Sequence, residues 1–124
     1  MSAQPGKAPF KRDTGRRLRR YPRYRSEFPV RVTLLVGGTH QYLEAHCKDL
    51  SEAGIGVLIA AELELGEVVS LAFSVPDIPE PWKVRAVLRH RRGYHYGFEF
   101  LSLSEQYTKR LMDHLPGLER ADSD

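Results

Sequence analysis

Along most of this chain apolar and polar residues alternate at the two-residue period of half-buried strands. Val30, Val32, Leu34 and Val36 recur at every second position of Phe28 to Val36, and Gly37-Gly38 follows as a hairpin turn. A second strand is predicted over Gln41 to Lys48, with Tyr42, Leu43, Ala45 and Cys47. Asp49 to Gly54 reads as a turn and Ile55 to Ile59 as a short third strand. Glu64 to Glu67 turns into a fourth, Val68 to Val75, after which Pro76, Pro79 and Pro81 exclude regular structure. In the fifth, Trp82, Val84, Ala86 and Leu88 alternate with Lys83, Arg85, Val87 and Arg89. Arg91-Arg92-Gly93 is read as the next turn, and Tyr96, Phe98 and Phe100 alternate with Gly97 and Glu99 in the sixth.

The period then changes. Leu103, Tyr107, Leu111 and Leu115 recur every four residues, the single apolar stripe of an amphipathic helix. Ser102 and Glu105 match the Ser-x-x-Glu capping box, and Pro116-Gly117 is the stop signal. Six short strands joined by close turns predict one mainly-β domain, a six-stranded antiparallel barrel or a sandwich. The C-terminal helix is expected to bury its stripe over a barrel opening or edge.

Met1 to Gly15 is rich in Pro, Gly, Lys and Ala without apolar period, so residues 1–15 are expected to be disordered. Arg16 to Arg25 forms a basic arm. Pro22 and Pro29 push Tyr21 and Phe28 out of the helical region, so any helix among the arginines should stop before Tyr21. Residues 16–115 are assigned to the folded domain and 116–124 to a flexible tail.

With 124 residues the chain is large enough for one core and too small for two. No apolar run approaches the roughly 20 residues that span a bilayer. The basic N-terminus lacks the apolar segment of a secretory signal, so a cytoplasmic protein without membrane insertion is expected. Cys47 is the one cysteine, which excludes an internal disulfide and a cysteine-based zinc site; it reads as a small apolar filler. His40, His46, His90, His95 and His114 show no metal-ligand spacing and read as surface or strand residues. Tyr21, Tyr24, Tyr42 and Tyr96 read as packing residues, Trp82 as core, and Arg89, Arg91 and Arg92 as a solvated face. No cofactor is predicted. Neither is an enzyme, since no nucleophile–base pair or phosphate-cradling glycine loop appears.

The formal charge of +3 conceals a division. Residues 1–25 hold nine basic groups against Asp13 alone, a net +8; the remaining ten basic and fifteen acidic groups give −5. A basic arm on a mildly acidic body suggests that the arm meets an anion.

Two local signatures carry the candidate chemistry. Arg19-Arg20-Tyr21-Pro22-Arg23 places arginines four apart across a proline, and Asp49-Leu50-Ser51-Glu52-Ala53-Gly54 is an Asp-x-Ser-x-x-Gly turn between strands. In these motifs, in their order and in the strands joining them, the chain resembles the PilZ family over about residues 16–115. Tyr96-Gly97-Phe98-Glu99-Phe100 resembles the family's final strand, less specifically. The resemblance implies a six-stranded barrel of split-barrel form with a C-terminal helix. It also implies binding of the second messenger cyclic di-GMP by Arg19, Arg20, Arg23, Asp49, Ser51 and Gly54, with a protein effector, not identified by the sequence, reading the bound state. A basic residue often found just before the family's arm is Leu18 here, which leaves one or two ligand molecules per site open.

The chemistry is consistent with such a ligand. Arginine's planar fork matches both a phosphate and the O6/N7 edge of guanine. An ionised Asp49 can accept from guanine N1–H and N2–H₂, which adenine cannot satisfy. Ser51 suits a phosphate or a turn brace, and Gly54 a positive φ or close backbone approach. Taken alone, the arm could be a solvated tail and the turn an ordinary Asx turn. Two other readings stand beside the receptor: a basic-armed barrel that binds nucleic acid, disfavoured by the acidic body, and a family member that adapts proteins without binding nucleotide.

Overall fold

The computed structural model describes residues 21–121. Six strands, β1 (Tyr24–Val36), β2 (Thr39–Leu50), β3 (Gly54–Leu58), β4 (Val68–Phe73), β5 (Trp82–Arg92) and β6 (His95–Phe100), precede one helix, α1 (Glu105–His114). Every strand pair is antiparallel, and the ring closes in the order β1-β2-β3-β6-β5-β4. The structure is therefore a barrel and not a sandwich.

Closure is uneven, and that gives the barrel its split form. β1 and β2 pair from Tyr24↔Leu50 to Val36↔Thr39, but β3 joins β2 only between His46 and Leu50. Beyond Leu58 the chain leaves β2, and Ile59 N–H bonds the carbonyl of Tyr94 at 3.0 Å. On the other side, β4 pairs with β1 only from Val30 to Thr33. Pro29 thus has a strand neighbour on one side alone, which is how β1 runs four residues further back than the predicted Phe28 while holding a proline.

Alternation fills the barrel. Val30, Val32, Leu71, Val84, Ala86, Leu88, Tyr96 and Phe98 face inward and are buried, as is Cys47. Gly37 and Gly38, at φ 58° and 79°, make the two-residue turn that the double glycine predicts. The predicted turn at Arg91-Arg92-Gly93 lies later, because both arginines still pair with β6.

One barrel end is closed by α1. Phe28, Phe73, Trp82 and Tyr107 form a ladder of rings with centroid separations of 5.4, 5.7 and 4.5 Å, the last pair nearly parallel at 10°. Leu111 and Leu115 enter the core, with Leu103 and Tyr107 packed at its edge. The predicted capping box is not used. Ser102 is exposed, and Ser104 caps the helix by accepting from Tyr107 N–H at 3.1 Å. Before the helix, Phe100 N–H bonds the Ala53 carbonyl and Leu101 N–H the Arg85 carbonyl, each at 2.9 Å, so the chain stays tied to the sheet through residue 101.

After a 3-10 turn, Leu115–Gly117, the chain comes back to the start of β1. Arg25 N–H donates to the Glu119 carbonyl at 2.7 Å, and Ala121 N–H to the Arg23 carbonyl at 2.8 Å. The Arg120 guanidinium lies 5.7 Å from the Tyr24 ring centre. The stretch expected as a flexible tail is thus docked on β1 through residue 121, because its backbone groups find partners there.

Candidate functional site

The outer wall of β2, β3 and β6 carries a cleft, and irregularities in two strands build it. In β2, Cys47 faces Val57 but Asp49 faces Gly56, so Lys48 is an extra residue. Cys47 and Leu50, three apart, therefore both point inward, and Asp49 turns outward. Glu27 holds the irregular segment from β1: Lys48 Nζ donates to it at 3.0 Å and His46 Nε2 lies 3.4 Å away. Hydrogen bonds from these two groups keep the Glu27 carboxyl below its usual value. In β5 the register shifts between Leu88 and His90, which sets His90 opposite Gly97 on the outside.

Glycines supply the floor. Gly56 and Gly97 face each other across β3 and β6. A Cβ on Gly56 would stand 2.6 Å from Asp49 Oδ1, and one on Gly97 would stand 2.2 Å from His90 Nε2. The carboxylate and the imidazole thus lie directly on bare backbone that any side chain would obstruct.

The turn after β2 braces itself. Ser51, 2% exposed, accepts from Ala53 N–H and Gly54 N–H at 3.1 Å each, and Ser51 N–H donates to Gly54 O at 2.9 Å. Ala53 O in turn receives Phe100 N–H, tying the turn to β6. Of the two uses open to Ser51, the geometry engages the brace. Gly54 is not strained; the described glycines with positive φ are Gly37, Gly38, Gly66 and Gly93.

Asp49 is not part of an Asx turn. Its carboxylate is largely covered and lies 3.3 Å from His95 Nε2, which projects from β6. Arg25 is its cross-strand neighbour in β1. Further along β6, Glu99 is buried at 7% exposure and accepts from Arg89 Nε at 2.8 Å.

Arg23, Asp49, Ser51 and Gly54 line one cleft, together with Ile55, Gly56, His90, Gly97 and Phe98. Four of the six predicted site residues thus come together. Arg19 and Arg20 lie outside the described residues. The cleft measures about 10 Å³, room for roughly one water. Any larger ligand must lie across its mouth or displace Asp49 and His90.

Sequence reasoning missed His90, His95, Gly56 and Gly97. The two glycines did carry a signal, since glycine inside a strand marks close approach. The histidines carried none, because His90 is placed by the extra residue in β5 and His95 meets Asp49 only through the extra residue in β2. Two further readings are corrected. Arg89 is not simply a solvated face, being paired with buried Glu99. Tyr42 does not pack in the core; it is 62% exposed. Among the described residues no group of His, Cys, Asp and Glu could hold a metal ion, and no helix is long and apolar enough to cross a membrane.

A family model described as the PilZ domain matches residues 17–115. No curated protein matches the chain. The solved PilZ domain with c-di-GMP of YcgR from Escherichia coli is 21% identical, with a TM-score of 0.60 over 80% of this chain and 89% of that one. The PilZ domain of CeSA from a cellulose synthesizing bacterium is 18% identical, with a TM-score of 0.57 over 77% and 95%. The Bacillus subtilis inhibitor of motility MotI/DgrA is 15% identical, with a TM-score of 0.63 over 77% of this chain and 48% of its own length. At these identities the likeness is one of fold, and this chain spans about half of the inhibitor.

Proposed function

This chain belongs to the PilZ domain family, and on that premise we propose that it is a receptor for cyclic di-GMP, with its site on the outer wall of β2, β3 and β6. The observation that carries the reading is the shared cleft: Arg23 from the arm and Asp49, Ser51 and Gly54 from the turn line the same small hollow.

In this reading Asp49 exchanges His95 for the N1–H and N2–H₂ of a guanine, and the base lies at the mouth of the cleft, displacing the His90 ring that covers Gly97. Arg23 pairs with a phosphate or a guanine O6/N7 edge. Arg20 and Arg19 follow at three and four residues from Arg23, within roughly 14 Å at full extension, enough to reach other parts of one compact ligand. Ser51 acts by holding the turn. The ligand's two negative charges meet the basic arm, and the changed surface is what an effector protein reads. The role is that of a receptor and not of a catalyst.

Titration calorimetry tests this with cyclic di-GMP, cyclic di-AMP and a short DNA duplex at two salt concentrations. Arg19→Ala, Arg23→Ala and Asp49→Ala should each cost about 2 kcal/mol of binding, roughly 30-fold, and Arg12→Ala little. Cyclic di-AMP should bind much more weakly than cyclic di-GMP. Equal affinity across all four variants would overturn the site. Duplex binding that collapses with salt would favour the nucleic-acid reading instead, and no binding of any nucleotide would favour the protein adaptor.

A further inference from the structure

The long hairpin of β1 and β2 leaves one strand edge open. β2 is bonded to β1 as far as Thr39, yet β3 reaches it only at His46. From Thr39 to Ala45 the other side of β2 has no backbone partner among the described residues. Natural edges are usually blunted by proline, lysine or a bulge. This stretch, Thr39-His40-Gln41-Tyr42-Leu43-Glu44-Ala45, holds neither residue, and its register against β1 is unbroken from Cys47 to Thr39. Next to the edge stand large apolar groups in water: Tyr42, Leu35 at 63% exposure and Val36 at 47%.

We propose that this edge pairs antiparallel with the same edge of a second copy of the chain, about a two-fold axis at Tyr42. A row of unpaired amides and carbonyls accepts an extended strand, and the side chains here make the strand itself a fitting partner. About Tyr42 the outer face is self-complementary: each His40 falls opposite the other copy's Glu44, and the two Tyr42 rings lie side by side. Glu44 is the one full charge on the edge, and Arg31 already holds it at 3.2 Å within its own hairpin, so no bare carboxylates are opposed. On the other face Leu43 continues the core stripe outward and meets Gln41 of the second strand. The interface is isologous and closes at two copies, which removes the open edge without creating a fibre.

The full chain without nucleotide is the material for the test, so the result is independent of the ligand reading. Analytical ultracentrifugation from micromolar to millimolar concentration should show a monomer–dimer equilibrium. Tyr42→Lys, which sets two ammonium groups opposite each other at an exposed position, should remain monomeric throughout with an unchanged circular dichroism spectrum. Tyr42→Cys should oxidise to a disulfide-linked dimer, because facing residues of an antiparallel pair have Cα atoms about 4.5–5.5 Å apart, within disulfide reach. Leu65→Cys, as exposed but far from the edge in sequence, should not, and native Cys47 is buried and does not compete. A wild-type chain that stays monomeric at every concentration, or a Tyr42→Cys chain that cross-links no faster than Leu65→Cys, would refute the pairing.

Discussion

Gly97 has no space for even a methyl group while the His90 ring lies on it. Gly97→Ala should therefore push the His90 ring aside, at a cost of about 1 kcal/mol, the low end for overpacking because the obstructing atoms are a side-chain tip. Because the obstruction is one side chain and not backbone, most of the loss should vanish when His90→Ala is added; urea denaturation of the two single variants and the double variant measures the difference. At Gly56 the added methyl meets the Asp49 carboxylate instead. Gly56→Ala should lower cyclic di-GMP affinity by at least tenfold, as seen by calorimetry on protein whose circular dichroism is unchanged. At this scale the sequence disclosed the residues whose chemistry is specific in itself, namely Arg23, Asp49 and Ser51. His90 and His95 were invisible, since their place beside Asp49 follows from strand register and from no feature of an isolated histidine.

Elements were more legible than their ends. Two-residue alternation is a property of each strand separately, so all six strands and the amphipathic helix could be found from pattern alone. Their limits depend on partners in other strands. Tyr24 to Glu27 belong to β1 because β2 and the returning C-terminal segment bond them, and no local pattern announces that. The helix shows the same effect at its start. Ser104→Ala should cost about 1 kcal/mol, the typical worth of an N-cap, whereas Ser102→Ala should be close to neutral despite its match to the capping box. Leu111, with no exposed surface, should cost about 2–5 kcal/mol on truncation to alanine. Thermal melts of the three variants rank them; Ser102→Ala as harmful as Ser104→Ala would show that the helix starts earlier than described.

For the molecule as a whole, Cys47 is a native reporter of barrel integrity. Its side chain has no exposed surface, and burial pushes the thiol well above its usual range, with the charge of Asp49 adding to the effect. The thiolate is the reactive form, so a thiol reagent at neutral pH should modify the protein only through opening of the barrel. Labelling followed by mass spectrometry should be slow in buffer and fast in urea. It should slow further with cyclic di-GMP, by the mass-action stabilisation that any native-state ligand confers. Rapid labelling in buffer would show that β2 opens locally.

The docking of the C-terminal segment on β1 bears on the proposed ligand site. Ala121 N–H holds the carbonyl of Arg23, a residue whose side chain lines the cleft. If the proposed ligand binds there, binding at one place and detachment at the other should be linked through Arg23, and linkage is reciprocal. A messenger that immobilises Arg23 tightens the grip on residues 119–121, with slower amide exchange at Ala121 as its signature. Conversely, on the proposed receptor reading, a protein that peels this segment away should weaken nucleotide affinity by the same factor, which would make the docked segment a handle on that affinity.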